Sequence, residues 1–172
     1  MSDWMNEIAY KKRFLMTYSN AIRRLRAVEE DFDRLRLMRM SASAMLSDGM
    51  PHAGGISDLS DYIVGLDEIL SEHIRQGAWI LKARKLIAEA VNALPTETEI
   101  SILTYRFLTL QQTRYEHEHG LPGTRPMSLD EVAKKMDYSY PQTKRHYWRA
   151  MKHLKIPQDQ ELLDKIMPAS ER

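Results

Sequence analysis

The chain has 172 residues and a net charge of +1, with 43% apolar and 28% charged residues. This balance is typical of a folded, soluble protein and argues against both a disordered chain and one built of membrane-spanning segments. The chain contains no Cys, which excludes disulfides, cysteine-ligated metal sites and thiol catalysis.

The first predicted element is a long helix from Asp3 to about Leu46, a stretch with neither Gly nor Pro. Its apolar residues alternate steps of four and three, the heptad spacing of a helix that packs along another helix. They are Phe14, Tyr18, Ala21, Leu25, Val28, Phe32 and Leu35. Because an isolated helix is only marginally stable in water, we expect this one to pack on a partner.

A second helix is predicted from Ser57 or Asp58 to Pro95, with an apolar stripe of similar spacing. The glycine-containing loop 47–58 lacks the Gly-Lys-Ser/Thr ending of a nucleotide P-loop, so we interpret it as a turn. The two helices and this turn predict an antiparallel helical hairpin, or coiled coil, over residues 1–94. A homodimer built on the same stripes fits the sequence equally well, so pairing within or between chains stays open.

The region 95–155 contains three candidate capping boxes, each a Ser or Thr followed three residues later by Glu or Gln. They are Thr96 with Glu99, Ser128 with Glu131, and Ser139 with Gln142. Each box precedes an apolar-periodic run, so we predict three helices. A three-residue turn, 137–139, separates the last two runs, and this arrangement is the helix-turn-helix pattern.

The last of these helices has the composition of a DNA-reading helix. Residues 141–155 carry five bases and no acid. In helix-turn-helix proteins the N-terminal residues of the second helix contact base edges in the major groove. Gln can pair there with adenine, and Arg with guanine. The candidate DNA-binding residues lie off the apolar stripe and are Tyr140, Pro141, Gln142, Lys144, Arg145, Trp148, Arg149 and Lys152. For Trp148, packing under the neighbouring helix is an equally good interpretation.

The segment from Ser128 to Leu154 resembles region four of bacterial sigma factors, a helix-turn-helix domain. The matching positions are Ser128, Glu131, Val132, Ala133, Met136, Tyr138, Ser139, Arg149, Ala150, Met151 and Leu154. Residues 94–100 and 103–108 look like the first helix of that region. Three departures are a longer connection, residues 111–127, Asp137 at a position where the sigma pattern has Gly, and Thr143 where the family usually has Val.

The long hairpin and its loop 49–55 are similar to small phage and prophage regulators of the ArpU and RinA type. The resemblance covers residues 15–155. These proteins pair a coiled-coil front half with a sigma-like tail. The resemblance implies an all-α protein with a helical hairpin followed by a three-helix DNA-binding domain. It also implies binding to double-stranded DNA at promoters, with RNA polymerase as a further partner.

Enzymatic chemistry finds little support in the sequence. The cluster 116–119, Glu-His-Glu-His, lacks the His-Glu-x-x-His spacing of a zinc site, and we expect a solvated connector there. Residues 156–172 are acidic by two charges, and we expect a solvated tail. We therefore expect no enzyme activity, no cofactor, no metal and no membrane contact. The first residues hold an early acid and no apolar segment, which predicts a cytoplasmic protein.

The sequence thus favours a sequence-specific transcriptional regulator of phage or prophage genes. Two other classes of function stay open. One is a DNA-packaging recognition subunit, which also joins a helix-turn-helix to an oligomerising coiled coil. The other is a protein-only adaptor that binds RNA polymerase or a sigma factor and never reads DNA.

Overall fold

The computed structural model describes residues 3–46 and 57–166. These ranges contain helices and no strand, which confirms the all-α class. The α-helices are α1 (Asp3–Leu46), α2 (Ser57–Asn92), α3 (Glu97–Leu103), α4 (Arg114–Glu118), α5 (Leu129–Met136), α6 (Tyr140–His153) and α7 (Gln160–Ile166). A π-helical turn, Thr104–Leu108, directly follows α3. The predicted glycine turn falls on residues 47–56, which lie outside the described residues.

The chain divides into two compact units. The larger unit comprises Met1–Ala21 and Ile80–Arg172, and the smaller unit comprises Ile22–Trp79. The predicted boundary between residues 94 and 95 falls inside the larger unit. That unit therefore draws on both ends of the chain.

The larger unit has a close-packed apolar core. Helix α6 packs against α3 and α5, and both α3 and α5 contact the π-helical turn. Its fully buried apolar side chains include Phe14, Leu15, Ile87, Val91, Ile102, Leu103, Phe107, Val132, Met151, Leu154 and Leu162. This core places α6 at the surface with one of its sides fixed against α3 and α5.

The segment that follows α6 is not the solvated tail that its net charge predicts. Helix α7 buries Leu162 and Ile166, which lie four residues apart and share one helix face. The Lys82 ammonium forms salt bridges of 2.9 Å with Asp159 and 2.8 Å with Glu161. These pairings raise the pKa of Lys82 and lower the pKa of both carboxyls. Asp159 and Glu161 therefore pair with Lys82 rather than face only water.

The connection between α3 and α5 is also more ordered than the predicted solvated connector. Thr113 and Glu116 form a capping box at the start of α4, with the Thr113 amide donating to the Glu116 carboxylate over 2.6 Å. Glu116 is buried and accepts further hydrogen bonds from the backbone amide and hydroxyl of Thr124. For Glu116 the prediction was wrong, because this acid satisfies backbone donors that the loop would otherwise bury unpaired. His117, Glu118 and His119 are exposed, as expected.

The two ends of this connection are held side by side. Gln111 and Arg125 exchange backbone hydrogen bonds of 2.7 and 3.1 Å. Between them, a Cβ on Gly123 would lie 2.5–2.8 Å from backbone atoms of Gln111 and Gln112. Only glycine allows the two segments of the connection to approach each other this closely.

The smaller unit is built from the remaining parts of the two long helices. The Arg39 guanidinium lies 4.6 Å from the centre of the Tyr62 ring, a cation–π geometry. Further along, the Leu35 side chain lies 3.7 Å from the point where a Cβ on Gly65 would be. Among the side chains described in this unit, only Trp79 is buried. Its apolar residues are otherwise half-buried or exposed.

Candidate nucleic-acid interface

Helix α5 and α6 are joined by a short turn whose backbone groups are satisfied locally. The Tyr138 amide donates to the Ala133 carbonyl over 2.9 Å, and the Asp137 amide points to the Lys134 carbonyl at 3.4 Å. This is the Schellman pattern of a helix end, which requires a left-handed residue after the helix. Asp137 supplies it with φ 54° and ψ 40°. Asp137 occupies the position where the sigma pattern has glycine, and it adopts the left-handed conformation that glycine favours.

Two of the three predicted capping boxes are confirmed. Ser128 and Glu131 cap α5, and Ser139 and Gln142 cap α6. Thr96 caps α3 through its hydroxyl, but Glu99 does not complete the predicted box. The Glu99 carboxylate is buried, so it instead pairs with the His153 ring, Nδ1 to Oε2 at 2.9 Å.

Helix α6 has one buried and one exposed side. The buried residues are Thr143, Tyr147, Ala150 and Met151. The residues predicted to bind DNA, Tyr140, Pro141, Gln142, Lys144, Arg145, Trp148, Arg149 and Lys152, are all exposed. No acidic residue lies within α6. The structure therefore brings the predicted residues together on one accessible helix. They form a basic surface that also carries an amide, two aromatic rings and a proline ring.

Gln142 already has a structural partner. Its Oε1 accepts hydrogen bonds from the Ser139 amide at 3.1 Å and from the Ser139 hydroxyl at 2.8 Å. Bidentate pairing with adenine needs this same oxygen as the acceptor for the base amino group. Adenine recognition by Gln142 would therefore displace part of the α6 cap, a loss of about 1 kcal/mol.

Trp148 lies at the edge between the two sides of α6. It is 40% exposed, its ring centre lies 5.4 Å from that of Tyr147, and a second contact, at 6.1 Å, joins it to Trp4 of α1. Trp4 is itself 57% exposed. Trp148 thus partly packs against other rings and partly faces water, so its exposed part stays accessible. The sequence analysis missed Trp4, because no spacing signal connects residue 4 with α6.

The C-terminal end of α6 is held by residues from distant parts of the chain. Lys11, a buried lysine on α1, donates from Nζ to the Lys152 carbonyl over 3.3 Å and pairs with Glu7 at 2.6 Å. A cation at a helix C-terminus interacts favourably with the helix dipole. The side chain of Lys152 itself remains exposed. Lys11 therefore positions α6 without occupying its basic surface.

Helix α5 contributes further cations and an anchor. Lys134 and Lys135 are exposed, and neither was among the predicted DNA-binding residues. At the other end of α5, Arg125 donates from Nη1 to Glu131 Oε2 over 2.9 Å, and a second guanidinium nitrogen contacts the other oxygen. Arg125, together with the Ser128 backbone, lowers the pKa of Glu131 to about 2. This carboxylate ties α5 to the preceding loop.

The described ranges hold no group of three or more metal-ligating side chains. None of the helices in those ranges combines the length and apolarity that a bilayer crossing requires. Comparison of the chain with protein-family models finds no match, and comparisons with curated proteins and with solved structures find none either.

Proposed function

We propose that this protein is a sequence-specific DNA-binding regulator of transcription, of the kind found in phages and prophages, which reads promoter DNA with α6. In this proposal α3, α5 and α6 form a three-helix domain in which α5 and α6 are the helix-turn-helix. RNA polymerase is a further partner at the promoter. The long helices α1 and α2 form the hairpin that precedes this domain.

The observation that carries the proposal is the division of α6 into two sides. The apolar side is fixed in the core, so the opposite side has a defined orientation. That side is exposed and basic, and no acid occurs in the helix. Such a surface suits insertion into the major groove, where an amide and guanidinium groups read base edges and lysines contact phosphates.

The short turn before α6 supports the same proposal. Asp137 in the left-handed conformation and the Ser139 cap let α6 begin with only three residues between it and the end of α5. This spacing leaves the first turn of α6 projecting, with Tyr140, Pro141 and Gln142 exposed. The N-terminal turn is the part of a recognition helix that contacts bases.

Two contacts in the smaller unit support the hairpin. Leu35 lies beside Gly65, and Arg39 lies beside Tyr62. From the first contact to the second, the residue number rises on α1 and falls on α2. This is the order expected of antiparallel neighbours.

The experiment that tests the proposal is selection of bound sequences from a random duplex pool, at about 150 mM salt so that unspecific phosphate binding is screened. The native chain is compared with Gln142→Glu. Glutamate keeps the capping box, because Ser-x-x-Glu and Ser-x-x-Gln cap equally. It places a carboxylate on the basic surface, which repels DNA. The matched control is Gln158→Glu, the same change at an exposed position outside α6.

We expect the native chain and the Gln158→Glu variant to recover one common motif, and the Gln142→Glu variant to recover none. The single variants Arg145→Ala and Arg149→Ala then relax the motif at individual positions, each by about 1–3 kcal/mol of discrimination. Absence of a motif for the native chain would refute DNA reading and would favour an adaptor that binds only protein. A motif that survives Gln142→Glu would move the reading surface away from the first turn of α6.

A further inference from the structure

Helix α2 carries a line of exposed apolar side chains. We name Ile63, Leu70, Ile74 and Leu81 the outer stripe; they are 56%, 47%, 71% and 71% exposed. Their spacing of seven, four and seven residues places them along one line on a helix of 3.6 residues per turn. The half-buried residues Tyr62 and Ile69 lie about 100–120° from this line around the helix axis, and Tyr62 contacts Arg39 of α1. The outer stripe is therefore separate from the contacts of α2 with α1.

The spacing of the outer stripe is symmetric about residue 72. In an antiparallel pair of α2 helices centred there, Ile63 of one copy meets Leu81 of the other, and Leu70 meets Ile74. Every apolar residue of the stripe then has an apolar partner. A surface that complements itself in this way suits a twofold interface, in which both copies use the same residues.

The charges of α2 favour the same arrangement. Residues 57–72 hold five acids and no base, whereas residues 73–88 hold four bases and no acid. Antiparallel pairing of two copies places the acidic half of each helix beside the basic half of the other. Parallel pairing would place like charges together, which is unfavourable. Lys82 also pairs with Asp159 and Glu161 of its own chain. The segregation of charge along α2 therefore favours an antiparallel over a parallel direction for a second α2.

We propose that this chain forms a homodimer through the outer stripe of α2, with the two α2 helices antiparallel. The proposal stands independently of DNA binding, because it uses no residue of α6. It identifies which apolar residues of α2 face the second copy and which face α1. The sequence alone left these two possibilities open, since apolar residues occur as neighbouring pairs along α2.

The first test is analytical ultracentrifugation of the full chain over a range of concentrations. The variant Ile74→Glu places a carboxylate in the centre of the stripe. Val64→Glu is the matched control, because Val64 is 54% exposed on the same helix but lies about 100° from Ile63 around its axis. We expect the native chain and Val64→Glu to form dimers with similar dissociation constants. For Ile74→Glu we expect the dissociation constant of the dimer to rise about tenfold or more. Circular dichroism checks that all three proteins keep the same helix content.

The second test fixes the direction of pairing with disulfides, which the lack of native Cys makes straightforward. The variants Ile63→Cys and Leu81→Cys are oxidised separately and as a mixture. Antiparallel pairing brings residue 63 of one copy beside residue 81 of the other, so only the mixture forms a cross-linked dimer. Two residues 63 would then be about 27 Å apart along the helix, too far for a disulfide.

Three results would overturn the proposal. One is a native chain that remains monomeric at all concentrations, which would leave the stripe to a different protein partner. The second is a dimer that Ile74→Glu and Val64→Glu affect equally, since the interface would then lie elsewhere. The third is self cross-linking of Ile63→Cys, which would establish parallel pairing. A dimer that weakens as salt rises would support the complementary charges.

Discussion

The two compact units differ in how far they remove their apolar residues from water. The larger unit buries side chains from both ends of the chain, and its buried acid Glu99 pairs with His153. In the smaller unit Trp79 is the one buried side chain among those described. The larger unit thus has a packed apolar core of its own, whereas two helices bury apolar side chains only along the line where they meet. The comparison indicates that the larger unit supplies most of the folding stability, and that the smaller unit keeps apolar side chains exposed for a partner.

The largest expected effect compares two phenylalanines on the same helix. Phe14 is fully buried in the larger unit, and Phe32 is half-buried in the smaller unit. We expect Phe14→Ala to lower the free energy of unfolding by about 3–5 kcal/mol, because it leaves a cavity in a packed core. Phe32→Ala should cost only about 1–2 kcal/mol, since less apolar surface is lost. Urea denaturation of both variants measures the difference, and equal losses would contradict it.

The next effect concerns the buried Glu99 carboxylate. His153→Ala removes its hydrogen-bond partner, and we expect a loss of about 2–3 kcal/mol because an unpaired polar group stays buried. The double variant Glu99→Gln/His153→Ala serves as the control. A neutral amide is less costly to bury than a carboxylate, so the double variant should recover part of the stability. No recovery would mean that the cost comes from packing of the imidazole.

Two glycines sharpen the comparison further. Gly123→Ala should destabilise the larger unit by about 1–3 kcal/mol, because the added Cβ would meet the backbone of residues 111 and 112. Gly77→Ala, within α2 of the smaller unit, adds a Cβ with no atom within 4 Å. There we expect a gain of about 0.5–1 kcal/mol from helix propensity. Thermal denaturation should therefore show opposite shifts, and shifts of the same sign would be inconsistent with the two local environments.

The smallest effect is the pH dependence of the Arg125–Glu131 pair. The folded-state pKa of Glu131 is lowered from 4.5 to about 2, so the folded protein binds fewer protons than the unfolded chain between these values. The pair is stabilising above pH 4.5, and its contribution is lost as the pH falls towards 2. Because both side chains are partly exposed, we expect a contribution of about 1 kcal/mol. Glu131→Gln keeps the cap and should flatten this part of the stability–pH curve, whereas an unchanged curve would assign the dependence to other carboxyls.

The fold could be predicted from sequence where the signals are local. The absence of Gly and Pro from residues 3–46 gave α1 its bounds, and Ser128 and Ser139 marked the starts of α5 and α6 because capping depends on residues three apart. The apolar spacing of α6 separated its buried from its exposed residues. These signals also selected the residues of the candidate site.

The remainder depends on contacts between residues far apart in the chain. His153 reaches Glu99 across 54 positions, and Lys11 reaches the end of α6 across 141. Glu116 and α7 were expected to be solvated because their composition is polar, but burial depends on what surrounds a side chain. The role of Trp4 beside Trp148 likewise has no local signal. Pairings of this kind follow only from the tertiary structure.

The composition of the larger unit from both ends of the chain has a consequence for its synthesis. Phe14 and Leu15 leave the ribosome early, whereas α6 and α7, which belong to the same unit, are made last. Contacts of such long sequence separation slow folding, because the intervening chain must first be ordered. We therefore expect this unit to complete its core only after translation has passed α7. A fragment that begins at residue 95 would lack Lys11, Phe14 and Ile87, and should be a poor substitute for the full chain in any binding assay.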